Sequence, residues 1–451
     1  MLLNRSSKRS YWIIGALALV VAAMIGVGIA QSRNDGPTSD YKPVVFRADP
    51  NNPTDTTIDK LQTQLRDDPE NFTDNITLAS AYLQKARETG DPTLYTKAAL
   101  LLDRAVKADP QNPDLFAARS ELALARHDFA AAQTLARQAL ILNPASARYY
   151  GLLGDAQIEL GLYDYAVKSY QEMVNRKPEF TAYTRVAHAR ELHGDPEGAQ
   201  EAMEFAVGAG SSVPENLAWA RVQLGNLHLN LNNTVAAGDQ YTAALRAFPH
   251  YPPALAGQAR LAVAAGKLDD AASLYTRAFN RSPLAEYAIA LGDVYTVGGD
   301  KALATQQYEL VNAMDKLQRE AGVNTDLETA LFLADHDKDL PVALQRAQAV
   351  YKARPTVYAA DVVAWTLHQS GRSKGAWEYS KRALKLNTRD PLLLFHAGMI
   401  AQAVGKDAEA YEYLEDALAL NPSFSLLHKD EAATTLKALR DKGVKPSRGV
   451  S

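Results

Sequence analysis

The chain contains no cysteine in 451 residues. That removes disulfides, thiolate nucleophiles and cysteine-ligated metals, and it excludes an anchor attached through an N-terminal cysteine. It leaves the compartment open, because both oxidising and reducing surroundings tolerate such a chain. A basic excess is missing too: 48 Lys and Arg face 52 Asp and Glu, and a net charge of −4 gives no field for nucleic acid. There is no Gly-rich phosphate loop, Gly-x-Ser-x-Gly elbow or zinc-protease histidine pair. His188 and His193 are five apart in one helix and do not share a face, so they read as helix polarity rather than metal ligands. Asp335 to Asp339 imitates the start of a calcium loop. Leu340 stands where that loop needs Gly, and Arg346 where it needs an acid. The stretch reads as a solvated turn. No catalytic, cofactor or metal site is expected, and the chain is not expected to be an enzyme.

The N-terminus carries one long apolar run. Residues 1–10 hold Arg5, Lys8 and Arg9 and no acid, and Tyr11 to Ala30 follow with neither charge nor proline. Twenty helical residues span a hydrocarbon core of roughly 30 Å. The basic bias puts residues 1–10 in the cytoplasm and the rest outside the membrane. The competing reading is a signal peptide cut before Gln31, with small Gly28 and Ala30 ahead of the cut; the run is longer than a usual signal core and favours the anchor. Ala18, Ala22, Gly26 and Ala30 recur every four residues, a small-residue face through which the segment could self-associate. Residues 31–56 are polar and broken by Pro37, Pro43, Pro50 and Pro53, as a linker is. A capping helix is expected over 57–71, with Ile58, Leu61 and Leu65 as its apolar stripe.

From Phe72 onward one pattern repeats. Residues 147–178 show it best: two short amphipathic helices, the first holding Leu153 and Gly154 and ending at Gly161, the second lined by Ala166, Tyr170 and Met173 and stopped by Pro178. The alanine between the helices recurs as Ala98, Ala132, Ala166, Ala199, Ala237, Ala271, Ala304, Ala343, Ala376 and Ala410, with gaps of 33 or 34 except two of 38 and 39. A small residue there lets two helices approach closely. Twelve residues on, Pro110, Pro144, Pro178, Pro249, Pro283, Pro355 and Pro422 end the second helix. Five residues before the alanine stand Gly161, Gly194, Gly266, Gly299, Gly371 and Gly405, with His127 and Asn232 in two units and Lys338 as the outright exception. That position suits a left-handed turn.

This pattern resembles the tetratricopeptide repeat (TPR), a helix–turn–helix unit with a period near 34. The resemblance covers 72–422 in ten units and implies an all-α, right-handed superhelical solenoid, here preceded by one transmembrane helix. A C-terminal capping helix is expected within 423–441 and a tail over 442–451. It further implies a protein or peptide partner held in the concave groove, lined by one stripe of each first helix. Eleven residues before the alanines, that stripe reads Glu121, Asp155, His188, Asn226, Arg260, Asp293, Phe332, Trp365 and Met399. Its last three members are large and apolar, and with Tyr358, His368 and Phe395 they form the expected partner-binding surface; the alternative is that they pack against adjacent repeats or the C-terminal helix. Trp365→Ala is expected to abolish capture without melting the array. The Lys and Asn set by which chaperone-binding TPR domains clamp a carboxylate is missing from every three consecutive units.

The chain thus looks similar to membrane-anchored bacterial-type envelope TPR proteins that organise secretion, polymer export or protein maturation. Two other classes stay open. A regulatory subunit of a membrane enzyme would co-purify with one catalytic partner in fixed ratio. A helical-repeat RNA binder would need basic base-reading positions, which the acidic stripe does not offer.

Overall fold

The computed structural model describes residues 52–446. The basic N-terminus, the apolar segment 11–30, nearly all of the linker and the last residues of the tail lie outside the described residues. Among the described residues the chain is all α-helix, 22 helices without a strand. None of these helices is long and apolar enough to cross a membrane.

The first helix runs Pro53–Asp67, four residues earlier than the periodicity suggests. Asn52 caps it, its side chain accepting from Thr54 and Asp55 N–H, with Pro53 in the first turn. Side chains of the following helix fix this start: the Thr54 hydroxyl donates to Glu88 at 2.6 Å, and Lys85 pairs with Asp55 at 2.6 Å. A proline that reads as linker punctuation is therefore a helix start.

Ten helix pairs follow, from Phe72–Thr89 with Thr93–Ala108 to Pro391–Ala403 with Asp407–Leu420. All ten frame alanines are buried, the most exposed being Ala304 at 4%. In units three, five and seven a glycine twelve residues before the alanine lies under a tyrosine of the second helix. A Cβ on Gly154, Gly225 or Gly292 would meet the ring of Tyr170, Tyr241 or Tyr308 at 2.3, 2.6 or 2.4 Å. Left-handed backbone falls where expected, at Gly161 and Gly371 (φ 72°) and at His127 and Asn232 (φ 59°). In the exceptional unit Lys338 is spared, and Asp337 and Asp339 on either side take φ of 50° and 37° instead.

At the C-terminus the capping helix runs Lys429–Asp441, within the expected 423–441. Its Ala432, Leu436 and Leu439 join Ala410, Leu414 and Ala417 in one buried cluster, which closes the end of the array. Residues 421–428 make turns because Asn421 Oδ1 and Ser425 Oγ accept from the N–H groups of Ser423 and His428.

Successive turns of the superhelix touch. Gly90 of unit one lies against Ser282 and Leu284, ahead of unit seven. His127 Nδ1 of unit two is 2.7 Å from the Asn324 carbonyl oxygen, ahead of unit eight. The Tyr163 hydroxyl of unit three accepts from Val357 N–H at 2.9 Å at the head of unit nine. In unit four the Leu192 carbonyl accepts from the Thr388 hydroxyl, ahead of unit ten. Each contact joins units six apart. Glycine has a second role here: a Cβ on Gly161 or Gly194 would meet the carbonyl oxygen of Pro355 or Asn387 at 2.8 or 2.3 Å.

Candidate partner-binding groove

The inner stripe of first helices changes character along the array. In units three, five and seven its polar residue is held by a tyrosine of its own unit and by an arginine or histidine of the next. Asp155 accepts from the Tyr170 hydroxyl at 3.1 Å and from Arg185 Nε and Nη2 at 2.8 and 2.6 Å. Asn226 Oδ1 accepts from the Tyr241 hydroxyl at 3.0 Å and Arg260 Nη2 at 2.5 Å. Asp293 Oδ1 accepts from the Tyr308 hydroxyl at 2.8 Å, and His336 Nε2 lies 2.8 Å from it. Each rung thus ties its own second helix to the next unit. Burial and then the adjacent carboxylate push the Tyr170 and Tyr308 hydroxyls up, keeping them protonated donors. Arg148 of unit three and Glu121 of unit two pair at 2.8 Å. Between these rungs and the second turn lies a cavity of 370 Å³, lined by Asp155, Glu159, His188, Glu328 and Arg354 among others. Arg354 reaches across the turns to Glu159 at 3.0 Å.

Units eight to ten are filled differently. Phe332, Trp365, Phe395 and Met399 are buried, at 3, 1, 0 and 8% exposure, and Tyr358 and His368 are half-buried. The Trp365 indole donates to Asp335 at 2.8 Å and stacks on His396 at 4.2 Å and on His368 at 5.3 Å. Phe395 packs on Phe424 and His428 of the returning C-terminal segment, with ring centroids 5.3 and 5.1 Å apart. Phe332 sits apart, between Tyr308 and His336. Tyr358 packs instead with Tyr163, Leu192 and Val357 where the turns meet.

Of the six residues expected to line an open surface, four are therefore buried and two half-buried in this fold. Trp365, His368, Phe395 and Met399 come together, residues 421–428 lie against Trp365 and Phe395, and Trp365 is too deeply packed for truncation to spare the array. The charges beneath are specific. His396 Nδ1 lies 2.9 Å from Asp361, and burial raises that carboxyl although His396 pulls it down. His428 stands 3.6 Å from Asp335 and 3.7 Å from Glu431. Burial opposes its charge, yet the two carboxylates outweigh that and lift it to about 9.

The rungs escaped the sequence reading, although a signal was present. Asp155 and Tyr170, Asn226 and Tyr241, and Asp293 and Tyr308 are each fifteen apart. The C-terminal return left no such signal. Among the described residues no group of acids and histidines is placed to hold a metal.

Family comparison supports the repeat. Tetratricopeptide repeat models match residues 118–179, 257–314 and 393–424. These segments hold 152 of the 451 residues, and the helix pairing above carries the same all-α two-helix repeat from Phe72 to Leu420. No curated protein sequence is matched. Among solved structures the chain is similar to the APC/C hetero-tetramer Cut9–Hcn1, at 13% identity and a TM-score of 0.36, over 85% of this chain and 92% of that one. It is also similar to Pseudomonas aeruginosa pilF, at 19% identity and 0.35 over 52% of this chain and 96% of that one. A third likeness is to MamA, at 20% identity and 0.30 over 38% and 96%. At these scores the likeness says nothing of function.

Proposed function

We propose that the protein is a non-catalytic scaffold that holds a protein partner on the inner face of the array, anchored by residues 11–30 with the repeats outside the cytoplasm. The observation that carries the binding part is the array itself: ten units in one frame, with a cavity between units two to four and unit eight that no described segment fills. Repeat arrays of this kind generate extended concave surfaces for partners. The anchoring part rests on the charge-free run Tyr11 to Ala30 behind Arg5, Lys8 and Arg9. Assembly or organisation of an envelope complex suits such a scaffold. With Glu159 already paired to Arg354, Glu328 and His188 at the cavity favour a partner side chain that donates hydrogen bonds.

Crosslinking with mass spectrometry on detergent-solubilised native membranes tests both parts. The expected result is an intact N-terminus and crosslinks from one partner to lysines bordering the inner face. A mature chain beginning at Gln31 would overturn the anchor. Crosslinks confined to the outer second helices would overturn the groove.

A further inference from the structure

The C-terminal return does more than close the last unit. The capping helix meets that need with Ala432, Leu436 and Leu439. Residues 421–428, just before it, run inside the superhelix. Leu426 packs against the cluster of Ala259, Val263, Tyr275, Leu291 and Val294 on units six and seven. Phe424 packs on Phe395, and His428 faces Trp365 edge-on at 5.6 Å and Asp335 at 3.6 Å. One short stretch thus touches first helices from unit six to unit ten, as a bound peptide does in a groove.

The seating is loose. Phe424, Leu426 and Leu427 are only half-buried, and a cavity of 230 Å³ remains between residues 421–426 and Arg260, Val263 and Asp293. The His428 Nε2 is buried without a hydrogen-bond partner, and its carboxylate neighbours stand beyond hydrogen-bond distance.

We propose that residues 421–428 are an internal strap occupying the groove of units six to ten, and that a partner segment of the same chemistry binds there by displacing it. That chemistry is an aromatic side chain, an aliphatic one two residues on, and a basic group two beyond that, following Phe424, Leu426 and His428. It rests on the reading of the array as a protein-binding scaffold. A tethered strap competes at an effective concentration of about 1 mM, so a micromolar partner is held off until the strap is loosened.

The test is a titration of the full chain with a fluorescein-labelled peptide of residues 419–430, followed by anisotropy. The double variant Phe424→Ser, Leu426→Ser is expected to bind the peptide at least about tenfold more tightly than the unaltered chain. Adding Val263→Asp should abolish that gain. The milder His428→Gln, which preserves side-chain volume, should give about a threefold gain and guards against a double variant that misfolds. Equal binding by the unaltered chain and both strap variants, with native helix content, would overturn the strap. So would a gain that survives Val263→Asp. A native partner crosslinked to units two to four beside a flat titration would sink the strap and leave the scaffold standing. Tighter peptide binding with no native partner would do the reverse.

Discussion

Units three to seven and units eight to ten use the same helical stripe for opposite purposes. In the earlier stretch the stripe is Asp155, Asn226 and Asp293, each bonded to a tyrosine of its own unit and to a cation or imidazole of a later one. In the later stretch it is Phe332, Trp365 and Met399, all packed out of solvent, the last two under a segment of the same chain. A polar rung spends its bonds between neighbouring units and leaves the inner face wet. An aromatic stripe must be covered by something, and here the C-terminus covers it.

The largest effect is expected at Trp365. Trp365→Ala should cost about 3–5 kcal/mol, and denaturant unfolding should then show units eight to ten and the capping helix melting ahead of the rest. A single unshifted transition would mean that the aromatic half is not an independent packing unit. Next comes the first rung. Asp155→Ala leaves Arg185 with the Thr181 carbonyl alone and should cost about 2–3 kcal/mol. The further change Arg185→Met should recover most of it, and a double-mutant cycle measures how far the two residues act as one. Gly154→Ala drives a methyl into the Tyr170 ring and should cost about 1–3 kcal/mol. Tyr170→Leu in the same chain should relieve it, and additive losses would speak against that contact.

Two smaller effects depend on pH. His428 is lifted to about 9 by Asp335 and Glu431, above its unfolded value of about 6.5. Its contribution is therefore fully present below pH about 6.5 and lost as the pH rises through about 9. A loss on the order of 1–2 kcal/mol is expected across that window, and His428→Gln should flatten it in thermal melts. Glu191 is raised to about 7 by burial and then by Asp390. It too is favourable while neutral, so its contribution is present below the unfolded value of about 4.3 and is lost as the pH rises from there through about 7. Glu191→Gln should stabilise the chain by about 1 kcal/mol or more at pH 8 and leave it nearly unchanged at pH about 4. Equal melting shifts at both values would show that the carboxyl is solvated.

The repeat frame was legible because each position answers a local demand. A buried alanine, a proline stop and a left-handed residue are all decided by atoms within one unit, so Ala166, Pro178 and Gly161 announce them. Even the exception was legible, since the unit with Lys338 moves its strained backbone to Asp337 and Asp339. The start at Pro53 was not, because it depends on Glu88, more than thirty residues away. Nor was the burial of Trp365 and Phe395. As a stripe they match an exposed groove position, and nothing near them in sequence says what lies above.

By itself, then, the sequence determined the helices, the ten-unit frame and the stripe that faces inward, because neighbouring side-chain sizes and turn chemistry suffice for these. Only the tertiary structure decided that units six apart meet, as Tyr163 meets Val357, and that residues 421–428 return over the aromatic stripe. Those contacts depend on small rotations between units, summed over a whole turn and altered by the two longer repeats. No single repeat encodes that sum.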